Sequence, residues 1–181
     1  VYILSLYDYM MYGNDGEFVA QKLPGVRQIL SYYSNFQLND GRVKGLPWWN
    51  FSDWVEHKGW NAGIAPYGTD GCSAITDLFL LLTYQAAVKL ENAYGMHAYK
   101  ELYAGKVELL KSTILNKYWD NNRKLFSDDA DHQHYSQHTN ALAILANIVD
   151  KEQALSIAKT IIEDEELAKA SVYFTFYLNM A

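Results

Sequence analysis

AITDLFLLLTYQAAVKLENA, residues 74–93, decides the fold. Ile75, Leu78, Phe79, Leu80, Leu81 and Leu82 cover most of the circumference of a helix, and a helix apolar on every side must be covered on every side. Gly95 ends it. Residues 96–118 follow as a helix of the opposite kind, with Tyr99, Leu102, Tyr103, Val107, Leu110 and Ile114 on one stripe and Lys100, Glu101, Lys106, Glu108 and Lys111 off it. A buried rod joined by a short turn to a one-faced cover is a helical hairpin.

The pairing recurs on both sides. Residues 1–12 (VYILSLYDYMMY) are apolar nearly all round and stop at Gly13-Asn14. Residues 16–37 then carry Val19, Leu23, Val26, Leu30 and Tyr33 at helical spacing, with Pro24-Gly25 predicting a kink or two shorter helices. Downstream, Ser136 opens a helix through Ala141, Leu142, Leu145, Ile148 and Val149. A polar-faced helix spans about 151–162, and 167–181 is again apolar nearly all round. The connections alternate too. Those at 13–15, 94–95 and 150 are short. Those at 38–73, 119–135 (with a short strand expected at 124–127) and 163–166 are longer, and all fall beside the amino termini of the buried helices.

This pattern predicts an all-α chain of about three and a half hairpins, buried helices inside and covers outside: an α/α toroid. A solenoid would repeat at near-constant period, whereas the inner helices here start at about 1, 74, 136 and 167. A closed toroid commonly has six hairpins, so 1–181 reads as a single partial domain, the middle of an (α/α)6 barrel. The missing initiator Met and the absence of a convincing cap at either end point the same way. Apolar faces left open on the terminal inner helices predict that the isolated chain self-associates. Light scattering should then find species heavier than the monomer; a clean monomer would mean a more complete ring.

Composition removes several classes of function. Fifteen Lys and Arg against 21 Asp and Glu give a net charge of −6, with no basic stripe to displace counterions from nucleic acid. Half the residues are hydrophobic and 20% are charged, which fits neither a disordered nor a fibrous chain. Cys72 stands alone, so there is no internal disulfide and no cysteine-cluster zinc site. Apolar runs fall short of the ~20 residues of a membrane span, and no basic segment of a signal peptide opens the chain. Neither nucleic acid nor membrane is an expected partner. No glycine-rich phosphate loop and no Ser/His/Asp order are present, and no cofactor is expected.

The aromatic share is 15%, and four of the five Trp lie between residues 48 and 60. The core of this cluster is Leu46-Pro47-Trp48-Trp49-Asn50-Phe51-Ser52-Asp53-Trp54, in an irregular loop of a length that is uncommon unless functional. Sugars lay flat C–H faces on indole rings and offer hydroxyls to carboxylates and amides, so Trp, Asp and Asn together suit a saccharide pocket. The alternative is a plug, in which the Trp roof the barrel and Asp53 caps a turn. A second run, Asp128 to His138, holds three His and three Asp, but its His-x-His-x-x-x-His spacing matches no closed metal site, and solvated loop side chains explain it. His138 differs by lying in the first turn of an inner helix. With Gln137 and Asn140 it either lines a pocket or is a satisfied buried His. Lys117-Tyr118-Trp119-Asp120-Asn121-Asn122 reads as a helix stop with an aromatic latch. Asp8, within an apolar helix, and Asp70 and Asp77, at the start of another, need partners if buried. Asp77, in the first turn, is expected to satisfy free backbone N–H groups of its helix.

LPWWNFSDW (46–54), DGCSAITD (70–77), KYWD…LFSD (117–128) and SQHTNALAIL (136–145) together resemble the catalytic domain of α-L-rhamnosidases, family 78 of the glycoside hydrolases. The resemblance covers most of the chain, and the first and last motifs in combination are its more specific part. It implies an (α/α)6 barrel and hydrolysis of terminal α-L-rhamnose with inversion. In that mechanism one carboxylic acid protonates the leaving oxygen, and a second carboxylate, ~6.5–9.5 Å away, activates water. The family's acid lies in a stretch before this region and its base beyond it, and neither stretch is found here. What the resemblance places on this sequence is a rhamnose-contacting Trp at Trp54, with Asp53 beside it. Trp49 and His138 join as substrate-binding candidates through their position at the mouth. A rhamnose-containing glycan or glycoside is the implied partner, and the isolated chain is expected to be inactive. A non-catalytic helical scaffold, or another six-hairpin enzyme such as a trehalase-like or glucuronyl hydrolase, is the rival reading.

Overall fold

In the structure, a computed structural model describing residues 1–181, the 74–93 rod is α3 (Ala74–Tyr94), the centre of the molecule. Ile75, Leu78, Leu81, Tyr84, Ala87 and Leu90 are fully enclosed. It packs on α1 (Tyr2–Tyr12) on one side and α5 (Gln137–Leu145) on the other, and α5 packs on α7 (Thr175–Met180). Those four are the inner series. Outside them, α2 (Gly16–Ser34) covers α1 and α3, α4 (His97–Tyr118) covers α3, and α6 (Lys151–Glu163) covers α5. The chain is thus all-α with the hairpin order of a six-hairpin toroid. The only sheet is a two-stranded antiparallel ribbon of β1 (Trp119–Asp120) and β2 (Leu125–Phe126), where the short strand was expected. No helix is long and apolar enough to cross a membrane.

Several boundaries differ from the sequence reading. α2 runs through Pro24 as one helix: its buried stripe of Val19, Leu23, Val26 and Leu30 offsets one lost backbone bond. α5 stops at Leu145 because Asn147 takes φ 51°, while the Asn147 and Ile148 N–H groups bond back to Ile144 and Ala143 carbonyls, a Schellman stop. α7 is much shorter than 167–181. Ala168 pairs laterally with Ser136, its N–H donating to the Tyr135 carbonyl and its carbonyl accepting from Gln137 N–H. Backbone groups spent sideways cannot close helical turns. α1 buries only Ile3 and Leu6; Tyr2, Tyr9, Met11 and Tyr12 are exposed, as are Val172, Tyr173, Phe176 and Met180 around α7. Asp8 is exposed and needs no partner.

Arg27 of α2 bonds Glu91 of α3 through two parallel contacts of 2.8 Å, and the same carboxylate accepts the Met96 N–H at the α3–α4 turn. Bidentate pairing of this kind fixes orientation as well as distance, so it sets how the first two hairpins meet.

The three long connections lie against one another at one end. The Asp128 carbonyl accepts the Ala74 N–H at the start of α3. Thr69 bonds Asp131 through backbone N–H and hydroxyl. Ser136 bridges Ala168. Asp53 reaches Ser171. This cross-linked rim, beside the amino termini of α3, α5 and α7, is where the functional candidates lie.

Candidate functional site

The rim is braced by buried polar groups. Asp77, in the first turn of α3, accepts the Val43 N–H at 2.8 Å and the Tyr118 hydroxyl at 2.7 Å. Its partners are therefore a loop and the end of α4, not its own helix. Burial pushes its pKa up to about 7, against the lowering effect of those two bonds and of Arg42. Arg42 in turn holds Asp40 and Asp70. Cys72, enclosed beside them, has its thiol pushed up to about 11 by burial, which keeps it protonated and unreactive. The Tyr118-Trp119-Asp120 latch works as read: Asp120 caps the ribbon turn at the Asn122 N–H and accepts the Tyr135 hydroxyl at 2.6 Å.

The Asp128–His138 run is solvated only in its middle, where Asp131 and Gln133 are exposed. Asp128 and Asp129 are enclosed. Asp128 accepts the Ser136 and Thr139 hydroxyls with one oxygen and leaves the other without a partner. Burial raises its pKa, and those two bonds only partly offset it. Asp129 accepts the His134 ring nitrogen at 2.8 Å. Nowhere do three metal-ligating side chains gather. Gln137 and Asn140 do not line a pocket either: their amides are spent on the Ile161 carbonyl and the Ala170 N–H, and on the Phe126 backbone, respectively.

Asp53 and His138 meet each other. His138 Nε2 lies 2.7 Å from Asp53 Oδ2, and both side chains are 0% exposed. The carboxylate also accepts the Ser171 N–H at 2.8 Å, the Ser171 hydroxyl and the Trp54 N–H at 2.9 Å. With every other partner a donor, the proton on His138 is assigned to Nε2. Burial alone would raise the Asp53 pKa, but the bonds from His138 and Ser171 outweigh it and hold the carboxyl below its usual range. The imidazole lies between the Trp60 ring (4.8 Å) and the Phe174 ring (4.4 Å).

Above this buried joint the aromatic loop divides. Trp60 turns into the core, while Trp48, Trp49 and Trp54 are 90%, 56% and 60% exposed. Trp49, Phe51 and Trp54 pack mutually at 5.0–5.7 Å between ring centres, and Tyr173 closes on Phe51 at 5.3 Å. Gly63, at φ +78°, makes this packing feasible: a Cβ there would stand 2.6 Å from the Phe51 ring. Trp49 is anchored by its indole N–H on the Ala62 carbonyl. Next to the wall opens a cavity of about 490 Å³, lined by Trp49, Phe51 and Tyr173 with Thr76, Phe79 and Thr83 of α3. Tyr173 and Ser171 were not singled out from sequence. The one available hint was a Ser just ahead of the apolar run 172–177, a helix-start signal.

The family model of the bacterial alpha-L-rhamnosidase 6 hairpin glycosidase domain matches residues 1–174. The chain belongs to this family. Among solved structures it is similar to a GH78 family rhamnosidase of Bacillus sp. GL1, with 23% identity and a TM-score of 0.81 over 98% of this chain and 18% of that one. It is also similar to a Klebsiella oxytoca rhamnosidase with rhamnose bound, with 18% identity and a TM-score of 0.80 over 97% of this chain and 32% of that one. A Streptomyces avermitilis alpha-L-rhamnosidase complexed with L-rhamnose gives 16% identity and a TM-score of 0.59, over 85% and 13%. At these identities the likeness is one of fold, and this rhamnosidase-type glycosidase domain chain spans a third or less of each of those proteins. No curated protein sequence matches it.

Proposed function

We propose that the chain is the middle part of the catalytic barrel of an inverting α-L-rhamnosidase, and that it supplies a wall of the sugar pocket, with Trp54 and Trp49 facing the ligand. The observation that carries this reading is the exposed, mutually packed group of Trp49, Phe51, Trp54 and Tyr173 at the end of the molecule where the inner helices begin. Exposed aromatic surface is costly to leave in water and matches the C–H face of a pyranose. Family membership and two structural relatives that hold rhamnose support the choice of sugar. The rim carboxylates Asp53, Asp77 and Asp128 are enclosed and engaged by protein donors, so the acid and base of an inverting pair are assigned elsewhere in the complete enzyme.

Trp54→Ala in the protein that carries this chain should lower kcat/KM on an aryl α-L-rhamnoside at least tenfold, about 1.4 kcal/mol of transition-state binding. A screen of aryl glycosides run alongside should single out the rhamnoside. Unchanged kinetics in the variant would remove Trp54 from the pocket, and preference for another glycoside would replace the sugar.

A further inference from the structure

We propose that Asp53, His138 and Ser171 are positioning residues that set the sugar-facing wall from beneath and touch no substrate themselves. The inference rests on the reading of Trp49 and Trp54 as that wall. One carboxylate gathers four donors from three separate pieces of chain: the Trp54 N–H in the aromatic loop, His138 Nε2–H in the first turn of α5, and the Ser171 N–H and hydroxyl ahead of α7. Two short paths lead from it to the wall, both through Asp53 Oδ1, while Oδ2 takes His138 and the Ser171 N–H. Oδ1 accepts the Trp54 N–H and so fixes the backbone of Trp54 itself. It also accepts the Ser171 hydroxyl, whose Oγ in turn accepts the Tyr173 N–H at 3.1 Å, and the Tyr173 ring is the member of the wall that closes on Phe51. His138 holds the centre, its ring enclosed between Trp60 and Phe174, so that the carboxylate cannot swing away without opening the core. With Asp53 and His138 both fully enclosed, any effect they have on a sugar must pass through Trp54 and Tyr173. A binding constellation gains from supports whose own orientation is locked by hydrogen bonds, because small displacements of an aromatic platform lose its stacking.

The test uses the full protein that carries this chain, with KM and kcat on an aryl α-L-rhamnoside and the inhibition constant of free L-rhamnose. His138→Phe keeps a ring between Trp60 and Phe174 but removes the Nε2 donor. It should raise KM and the inhibition constant about tenfold, with kcat changed less than about threefold. His138→Gln, which returns an amide N–H at the reach of Nε2, should bring both back to within about threefold of the parent. Ser171→Ala, which deletes the hydroxyl and keeps the backbone N–H, should raise KM about three- to fivefold. Parental KM in a folded His138→Phe variant, or failure of His138→Gln to restore it, overturns the proposal. If His138→Phe does not fold, Ser171→Ala decides alone, and parental KM there overturns it. Trp54→Ala separates the two readings. If that variant raises the inhibition constant of L-rhamnose while the His138 and Ser171 variants do not, the wall stands and the clamp falls. If Trp54→Ala leaves it unchanged, the wall itself falls.

Discussion

Asp53→Ala is expected to cost the folded protein about 3–5 kcal/mol, since it leaves several buried hydrogen-bond donors without an acceptor at about 1–3 kcal/mol each. The reason lies in what remains. His138 Nε2–H would face an apolar methyl in an enclosed position, and the Ser171 N–H would lose its acceptor at the same time. His138 already carries one enclosed nitrogen, Nδ1, without a partner, so the variant leaves both ring nitrogens unsatisfied. Asp53→Asn should fall between parent and Ala. Its single carbonyl oxygen accepts two of the four donors, while its NH2 meets donors on the other side. Urea unfolding at constant m-value measures both losses. A cost under about 1 kcal/mol for Asp53→Ala would mean that the three rim segments are held by apolar packing, and the carboxylate is incidental to their joint.

This joint has no local signature in the sequence. The alternation of rods apolar all round with one-faced covers is a local property, legible in windows of a dozen residues around Leu78 or Val107, and it gave the hairpin order and the common end of the long connections. The bond between Asp53 and His138 joins positions 85 residues apart. Nothing local distinguishes a carboxylate that will meet an imidazole from one that will meet a sugar hydroxyl. The same limit applies to the Trp cluster. Trp54 and Trp60 are identical in type and six positions apart, but one is 60% and the other 9% exposed. An irregular loop has no period from which inward and outward faces can be assigned. The overlong reading of 167–181 has a different cause. Apolar runs report burial, whether or not the backbone is helical, and in this one the backbone of Ala168 and Ser171 is committed to Tyr135, Gln137 and Asp53.

Between about pH 4 and pH 7 the folded protein should lose stability at Asp77 as the pH rises, in total on the order of 4 kcal/mol for a shift from 3.8 to about 7. The sign follows from proton counting. Above its ordinary value the unfolded carboxyl has released its proton while the enclosed one still holds it, so the folded state binds more protons and raising the pH favours unfolding until the folded pKa is passed. Carboxyls held below their usual range, Asp53, Asp70 and Asp120, act in the opposite direction but at lower pH: above about pH 5 they are ionised in both states and add no slope. Asp128, raised by burial, adds to the loss above the ordinary carboxylate range. Asp77→Asn isolates the main contribution. The amide has the same shape and no charge to release; its oxygen still accepts the Val43 N–H, and its NH2 donates to a Tyr118 hydroxyl that now turns to accept. Urea unfolding of parent and variant at pH 5 and pH 7.5 should show the variant losing less stability across that interval and standing above the parent at the higher pH. Parallel losses in both proteins would mean that Asp77 stays ionised in the fold throughout, its charge carried by Arg42 and the two donated hydrogen bonds.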